Sequence, residues 1–319
     1  MSLGEFDLIA RYFNRPTERA ALGPGDDCAV IAPAPGMHLA ISSDMLVEGR
    51  HFLPTVAPRH LGHKALAVNL SDLAACGAQP VACTLALALP RVDESWLEGF
   101  SEGLYALAAQ HGCELVGGDT TAGPLNICIT VFGEVPAGQA LLRSGAMPGD
   151  DIWVSGQLGD ARLALEAFRG ELSLSAQDFE AARRAMEQPQ PRVALGLALR
   201  GVASAAIDVS DGLMGDLSHV LRRSKVGALI DVDAVPRSEA LARQSAATQR
   251  LCTLSGGDDY ELVFTAPADA RERVLRAGER ARTRVTRFGT VQGDAGVRFV
   301  DAHGAALQAD WASFDHFKG

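Results

Sequence analysis

Residues 93–121 read DESWLEGFSEGLYALAAQHGCELVGGDTT, a helical pattern that runs directly into a strand-like one. We predict a helix over 93–112, with Asp93 as its N-cap and Gly112 just after its last turn. The following CELVGGDTT (113–121) is a short apolar strand that ends in glycines. A helix joined to a strand in this way is typical of an α/β or mixed α+β protein.

The same alternation continues on both sides of this stretch. HLAISSDML (38–46) predicts a strand, HLGHKALAVNLSDLAACG (60–77) a helix that ends at Gly77, and NICITVFGEV (126–135) another strand. Residues 136–150, PAGQALLRSGAMPGD, interrupt the periodicity with glycine and proline, and the strand DIWVSG then begins a second half. We therefore predict an N-terminal domain over 1–137, a linker over 138–150 and a C-terminal α/β domain over 151–319.

Composition limits the classes of function. With 319 residues, 47% of them hydrophobic, the chain can bury a substantial core. A net charge of −10 argues against a nucleic-acid partner. No apolar run approaches the roughly 20 residues of a membrane span and no signal-peptide pattern is present, so we expect a cytoplasmic protein without a membrane partner.

Two residue types narrow the chemistry further. The six cysteines form no C-x-x-C pair, which favours buried free thiols over disulfides or a zinc site. No G-K-[ST] follows a glycine loop, so phosphates would not be bound by a P-loop.

Aspartates recur where apolar segments end. They stand in GPGDD, SSD, GGD, IDVSD and SGGDD, at positions 26 and 27, 44, 119, 208 and 211, and 258 and 259. If the strands share a sheet, their ends line one edge and the carboxylates meet there. Two carboxylates about 4 Å apart repel by about 4 kcal/mol at an effective dielectric of about 20, so a gathered set requires cations. Oxygen ligands favour Mg²⁺, Mn²⁺ or Ca²⁺ over zinc.

Asp72 differs from the others because it interrupts a predicted helix, where aspartate is unfavourable. Asn69 and Cys76 share its face of the helix. That face could be aimed at an ion, and a solvent-facing carboxylate is the alternative. The pair Gly117 and Gly118 also has two interpretations, a backbone that phosphate oxygens approach or a tight turn.

Eight motifs in order resemble those of the thiamine-monophosphate kinase family, in the superfamily of aminoimidazole ribonucleotide synthetase and selenophosphate synthetase. They are GPGDDCAV, SSDMLVEGRHF, KALAVNLSDLAACGAQP, LVGGDTT, SGQLGDA, IDVSDGL, SGGDDYELVF and the terminal FDHF, and they span essentially the whole chain. The resemblance implies a two-domain subunit of mixed α+β structure with the aminoimidazole ribonucleotide synthetase-like fold. It also implies a homodimer in which the N-terminal domains pair their sheets.

The resemblance assigns roles position by position. Residues that would hold Mg²⁺, of which several ions are implied, are Asp27, Ser42, Ser43, Asp44, Asp72, Asp119, Asp208 and Asp211. Residues that would contact ATP are Tyr105, Gly118, Asp119, Arg143 and Ser210. Residues that would contact thiamine monophosphate are His51, Glu261 and Phe314. The family usually shows Trp or Tyr just before the DHF-like ending, so Phe314 has the alternative role of a core anchor.

The implied reaction is ATP-dependent phosphorylation of thiamine monophosphate to thiamine diphosphate by direct in-line transfer, the last step of thiamine diphosphate biosynthesis. Because two anions must meet, neutralising and aligning charge matters more than moving protons. The acceptor phosphate is largely ionised near neutral pH, since its second pKa is about 6. We therefore assign no catalytic acid or base.

Other functions remain as alternatives. Selenophosphate synthetase would need a reactive Cys or Sec before Cys28, and the hydrogenase-maturation relative would end in a cysteine. Aminoimidazole ribonucleotide synthetase is disfavoured by GGDDYEL and the DHF ending. From a different class, a non-catalytic Mg²⁺ or Ca²⁺ binding protein or a nucleotide sensor would explain the aspartates, but it would leave Arg143 and the glycine pairs without a role.

Overall fold

A computed structural model of the chain describes residues 4–308 and Trp311. The chain folds into two compact units. Unit 1 runs to Leu73 and resumes over Ala78–Gly138, and unit 2 comprises Ala74–Gly77 and the chain from Gln139 onward. The segment Ala74–Gly77 therefore belongs to unit 2, although unit 1 surrounds it in sequence. Residues 139–150, most of the predicted linker, also belong to unit 2.

Unit 1 is built on a four-stranded mixed sheet. Its helices and strands are, in chain order, α1 (Glu5–Leu8), β1 (Ala20–Leu22), β2 (Val30–Ile31), β3 (Met37–Val47), α2 (Pro58–Ala75), β4 (Gln79–Leu89), α3 (Glu94–His111), β5 (Glu114–Ala122) and β6 (Asn126–Pro136). The sheet has the order β3-β6-β4-β5, in which only β4 and β5 are parallel. Parallel neighbours need a crossover, and α3 supplies it.

Helix α3 begins and ends where its capping residues predict. The Asp93 carboxylate accepts from the amides of Ser95 and Trp96 at 3.1 and 3.2 Å, which satisfies two of the free N–H groups at the helix start. Gly112 stops the helix in the left-handed conformation, with φ of 60°. The predicted helix over 93–112, and the strand after it, are both confirmed.

The other predicted elements of unit 1 are present with small shifts at their ends. The strand predicted over 38–46 is the 11-residue β3, and the helix predicted over 60–77 begins earlier, at Pro58. Proline suits the first helical position because the N–H it lacks would have no partner there. Strand β3 lies at one edge of the sheet, so among residues 4–138 one side of its backbone has no neighbouring strand.

Unit 2 is built on a seven-stranded sheet. Its helices and strands are, in chain order, β7 (Asp151–Ser155), α4 (Asp160–Phe168), α5 (Ala176–Glu187), α6 (Val193–Leu199), β8 (Ala205–Asp208), α7 (Leu213–Ser224), β9 (Gly227–Asp231), α8 (Glu239–Ala242), α9 (Ala246–Arg250), β10 (Leu262–Ala266), α10 (Arg271–Arg280), β11 (Val285–Gln292), β12 (Val297–Val300) and β13 (Ala306–Leu307). The strand order is β13-β12-β9-β11-β7-β10-β8, with only β12 and β9 parallel.

The core of unit 2 lies between the sheet and its helices, around buried residues such as Ile152, Ile207, Val263 and Phe288. Both units thus have the mixed α and β structure that the alternating pattern predicts. Among the helices that the structure describes, none has the length and hydrophobicity that crossing a membrane demands.

Candidate active site

A cavity of about 550 Å³ opens in unit 1 beside strand β5. One wall is the loop that carries Asp26 and Asp27, and another is β5 with Gly117, Gly118 and Asp119. Two of the predicted carboxylates, Asp27 and Asp119, therefore line one cavity together with the glycine pair. The arrangement combines oxygen ligands with backbone that has no side chain in the way, which suits a phosphate and a hard cation.

The two glycines differ in whether the surrounding structure has room for a side chain. A Cβ on Gly118 would lie 1.8 Å from the carbonyl oxygen of Leu85 on β4, and its φ of 149° is one that residues with a side chain rarely adopt. A Cβ on Gly117 would meet no atom within 4 Å. Both residues lie within β5, so the tight-turn interpretation of this pair is wrong. Gly118 is required by strand packing, and Gly117 leaves open space.

A second group of predicted residues lies where α2 packs on β3. The Ser42 hydroxyl donates a hydrogen bond to the Asp72 carboxylate, and the Asp44 amide donates to Asn69 Oδ1 at 2.9 Å. The Asn69 side-chain amide in turn donates to the carbonyl of Ala65 at 3.0 Å. Asp72 is partly exposed, and its carboxylate accepts a hydrogen bond from β3. The face shared by Asn69 and Asp72 is aimed at β3.

Ser43 and His51 have other partners. Because side chains alternate along a strand, the Ser43 hydroxyl lies on the opposite face of β3 from Ser42 and Asp44, within 3.0 Å of Thr130 Oγ1. The ring of His51 accepts from the Val47 amide through Nδ1 at 3.0 Å. A neutral imidazole that accepts at Nδ1 carries its proton on Nε2.

Tyr105 is buried on α3 under an arginine. The Arg15 guanidinium lies 3.6 Å from the centroid of the Tyr105 ring, a cation–π contact. Burial raises the pKa of Tyr105 to about 12, so its hydroxyl stays protonated near neutral pH. Within the described residues that hydroxyl has no hydrogen-bond partner. It is therefore a donor with unused capacity.

In unit 2 the predicted residues gather at one end of β8 and β10. These strands are antiparallel, and Asp208 pairs with Leu262, next to Glu261. The SGGDDYE loop before β10 is held to the loop after β8, since the Asp258 amide donates to the Ser210 carbonyl at 2.8 Å. Asp258 has a φ of 70°, a strained value of the kind that is concentrated at functional sites.

The Glu261 carboxylate is buried and already bonded. Arg192 Nε donates to it at 2.7 Å, its Nη2 donates to the other oxygen, and the Ser155 hydroxyl donates at 2.5 Å. Gly156, with a φ of 58°, leaves room for this carboxylate, because a Cβ there would lie 1.9 Å from Oε1. The sequence reasoning overlooked Arg192, and the proline-flanked QPQPR is the only local signal for it.

Asp259 lies beside this network. Its Oδ1 accepts from the Gly159 amide at 2.9 Å, which joins the SGGDDYE loop to the SGQLG loop. Burial raises the pKa of Asp259 well above its usual value. Within the described part of the chain, Oδ2 of Asp259 has no hydrogen-bond partner.

Helix α7 brings other charged groups close to Asp211. Burial lowers the pKa of His219, and the positive charges of Arg222 and Arg143 lower it further, while Asp211 opposes them. Arg143 and Asp211 therefore both lie near one imidazole. Burial, reinforced by Asp211, raises the pKa of Asp216 to about 7. Sequence reasoning missed Asp216, although an acid in the first turn of a helix after D-G-L is a readable signal.

Most of the predicted site residues thus fall into three local groups, and Ser43, His51 and Tyr105 have other partners. Within residues 4–308 and at Trp311, no group of three or more His, Cys, Asp or Glu side chains is close enough to hold a metal ion alone. Phe314 lies outside the described residues. Trp311 packs edge to face on Phe299, with ring centroids 4.6 Å apart.

All six cysteines are free thiols, as the sequence predicts, but the prediction that they are buried is wrong for the exposed Cys28 and for the partly exposed Cys76 and Cys128. Cys83, Cys113 and Cys252 are buried, whereas Cys28 is exposed and lines the cavity of unit 1.

Comparison with protein families matches each half of the chain. Residues 25–135 match the N-terminal domain, and residues 147–302 the C-terminal domain, of AIR synthase related proteins. A thiamine-monophosphate kinase of Salmonella typhimurium is 47% identical, over 99% of each chain. One from Escherichia coli is 46% identical, again over 99% of both.

Solved structures resemble the chain over nearly the same length. A thiamine-monophosphate kinase from Stenotrophomonas maltophilia superimposes with a TM-score of 0.85 at 45% identity, covering 94% of this chain and 95% of that one. AaThiL complexed with AMPPCP and TMP superimposes with a TM-score of 0.76 at 29% identity, covering 90% and 89%. The hydrogenase maturation protein HypE, at 22% identity and a TM-score of 0.79, shares the fold.

Proposed function

The chain belongs to the AIR synthase related proteins and, among them, to the thiamine-monophosphate kinase family, and from this premise we propose that it phosphorylates thiamine monophosphate with ATP. The product is thiamine diphosphate, so the reaction is the last step in making that cofactor. The observation that carries the proposal is 47% identity to a thiamine-monophosphate kinase over 99% of both chains. The complex of AaThiL with AMPPCP, an ATP analogue, and TMP supports the same pair of substrates.

Magnesium is the cofactor that the donor groups fit. The candidate ligands that line the cavity of unit 1 are three carboxylates, Asp26, Asp27 and Asp119, and one thiol, Cys28, so oxygen donors predominate and suit a hard cation better than zinc. Mg²⁺ is usually held by one or two carboxylates together with substrate phosphates, so this binding does not require three acids in contact. We propose that Asp27 and Asp119, and the Asp44 and Asp72 pair on β3 and α2, hold Mg²⁺ when the phosphates are bound.

In this reaction the chain must bind the two phosphorylated substrates, align their phosphates and reduce the repulsion between their negative charges. Bound Mg²⁺ supplies positive charge that offsets the repulsion between the two phosphorylated substrates. Gly117, where a Cβ would meet no atom within 4 Å, would let phosphate oxygens approach the backbone of β5. The acceptor phosphate is already largely ionised near pH 7, since its second pKa is about 6, so the chain needs no general base and the transfer is direct and in-line.

Residues of unit 2 take the remaining roles in this proposal. Ser210 and Asp211 follow β8 and contact ATP and a metal, with Asp208 as a further metal ligand and Arg143 as a donor to the phosphates. Glu261 is held by Arg192, and this ion pair would position Glu261 for thiamine monophosphate. The family resemblance assigns contacts with the same substrate to His51 of unit 1 and to Phe314. These assignments rest on the family resemblance and on the grouping of Asp208, Ser210 and Glu261 at one end of β8 and β10.

Product identification tests the function. The purified protein is incubated with ATP, Mg²⁺ and either thiamine, thiamine monophosphate or aminoimidazole ribonucleotide precursors, and the products are separated by mass. We expect thiamine diphosphate and ADP in equal amounts, only with thiamine monophosphate. Tight ATP binding without ADP release would instead support a nucleotide sensor. Retention of configuration at the transferred phosphorus would contradict direct transfer.

We propose that two copies of the chain associate through unit 1. Strand β3 is a sheet edge of 11 residues and exposes Leu39, Ile41 and Met45 on one face, with exposed fractions of 39%, 61% and 54%. Long, apolar edge strands are rarely left uncovered in soluble proteins. Sedimentation should give twice the mass of the chain, and Ile41→Lys should shift it to the mass of one chain.

The six free thiols agree with a reducing compartment such as the cytoplasm, where we place the protein.

A further inference from the structure

Asp216 reaches back from helix α7 to the loop before it. Its side chain is 4% exposed, and its Oδ2 accepts hydrogen bonds from the amides of Ser210 and Asp211 at 3.0 and 3.1 Å. These are two consecutive backbone donors on one carboxylate oxygen. Two backbone hydrogen bonds to one buried side chain fix the conformation of the loop.

The loop held in this way carries two residues with assigned roles. Ser210 is proposed to contact ATP and Asp211 a metal. These are the two residues whose backbone amides donate to Asp216. The opposite side of the same segment is held by the SGGDDYE loop, through the bond from the Asp258 amide to the Ser210 carbonyl. The Ser210–Asp211 segment is thus held from both sides. On one side the contact is made by the Asp216 side chain, and on the other by the backbone of the SGGDDYE loop.

We propose that Asp216 is a positioning residue for the Ser210–Asp211 segment, holding both residues in the orientation that ATP and Mg²⁺ require. This inference rests on the proposed function. Supporting residues that orient ligands commonly change metal affinity or activity by about 10- to 100-fold when they are removed. Asp216 itself contacts neither substrate nor metal in this arrangement.

The chain offers a matched control. Asp231, at the end of β9, also accepts two backbone hydrogen bonds on one oxygen, from the amides of Asp233 and Ala234 at 3.0 and 3.1 Å. No role in the reaction is assigned to that turn. Asp231→Ala therefore removes the same kind of contact as Asp216→Ala, two backbone amides on one carboxylate oxygen.

The test compares the Mg²⁺ dependence of the full-length variants Asp216→Ala, Asp216→Asn and Asp231→Ala with wild type. For Asp216→Ala we expect the Mg²⁺ concentration at half-maximal rate to rise about 10-fold or more, with the KM for thiamine monophosphate within about twofold of wild type. Asp216→Asn keeps an acceptor oxygen of the same size and position, so a smaller rise of about threefold is expected. Asp231→Ala should leave the Mg²⁺ dependence unchanged.

Two results would overturn the inference. One is an unchanged Mg²⁺ dependence in a folded Asp216 variant, and the other is an equal rise in Asp231→Ala. If Asp216→Ala does not fold, Asp216→Asn is the deciding variant, and its Mg²⁺ concentration at half-maximal rate should rise about threefold. Failure of the proposed function is seen separately, because wild type itself would then form no thiamine diphosphate.

Discussion

The hydroxyl of Ser42 on strand β3 donates a hydrogen bond to the carboxylate of Asp72 on helix α2. Two residues further along β3, the amide of Asp44 donates to the side chain of Asn69. Two residues spaced three apart on the helix therefore meet two residues spaced two apart on the strand. An aspartate inside a helix has a partner here, which explains why so unfavourable a helix residue is used.

Replacing Asp72 by asparagine should damage turnover more than stability. Asp72→Asn keeps the size of the side chain and an acceptor for Ser42, but it removes the charge that we propose binds Mg²⁺. We expect kcat to fall by about 100-fold, with a melting temperature within a few degrees of wild type. Steady-state assays and thermal unfolding measure the two effects.

Glu102→Gln is the control for this prediction, because it makes the same charge change at Glu102 of α3, which forms an exposed ion pair with Arg59 of α2. Its activity should equal that of wild type. Wild-type turnover in Asp72→Asn would remove Asp72 from the metal site.

The two glycines of β5 should respond differently to the same added methyl group. Gly118→Ala forces a Cβ against the Leu85 carbonyl, so we expect the free energy of unfolding to fall by about 3 kcal/mol. Gly117→Ala fills open space in the cavity, so stability should change by less than about 1 kcal/mol while the KM for ATP rises about 10-fold. Urea unfolding and ATP titrations distinguish the two variants. A stable, fully active Gly118→Ala would contradict the geometry of β4 and β5.

Thiol labelling should separate Cys28 from the buried cysteines. Cys28 is exposed and lines the cavity, whereas burial raises the pKa of Cys252 to about 12 and leaves it an unreactive thiol at pH 8. Iodoacetamide followed by peptide mass mapping should therefore modify Cys28 first and Cys252 only after unfolding. A bound ATP analogue with Mg²⁺ should slow modification of Cys28. Rapid labelling of Cys252 in the folded protein would show that this burial is wrong.

Stability at acidic pH should depend on Asp151. This carboxylate is buried, which disfavours its charge, but hydrogen bonds from Arg271 and Arg287 outweigh burial and hold its pKa below the usual value. A depressed native pKa stabilises the fold above the unfolded-state pKa of about 3.9, and that contribution is lost as the pH falls through the native pKa.

The variant Asp151→Asn makes this prediction measurable. At pH 7 it should lower the free energy of unfolding by about 2 kcal/mol, since charged hydrogen bonds are lost. The difference from wild type should shrink as the pH falls below about 4. Urea unfolding between pH 3 and pH 7 follows both proteins. A difference that stays constant over this range would show that Asp151 is not ionised by its arginine partners.

Local signals in the sequence were enough to predict several elements. Helix α3 has its cap at Asp93 and its stop at Gly112, so both ends could be read from neighbouring residues. The alternation of strands and helices likewise predicted mixed sheets. The order of strands was not readable, because β6 inserts between β3 and β4 through long-range pairing that no local pattern records.

The candidate site was predictable as a set of residue types but not as a set of contacts. The aspartates could be found because they follow apolar segments. That the Glu261 carboxylate is bonded to Arg192 could not, since 69 residues separate them in sequence. The burial of Asp216 depends in the same way on how the loop after β8 folds back on α7.

The four residues Ala74–Gly77 belong to unit 2, although unit 1 flanks them in sequence. They are closely fitted there, because a Cβ on Gly196 of α6 would lie 2.0 Å from the carbonyl oxygen of Ala74. A fragment that starts at residue 139 would lack this piece of its own packing. A chimera of two relatives that is joined only at residue 139 would therefore take unit 2 from one parent and its 74–77 segment from the other. A functional chimera needs residues 74–77 and the chain from residue 139 onward from the same parent.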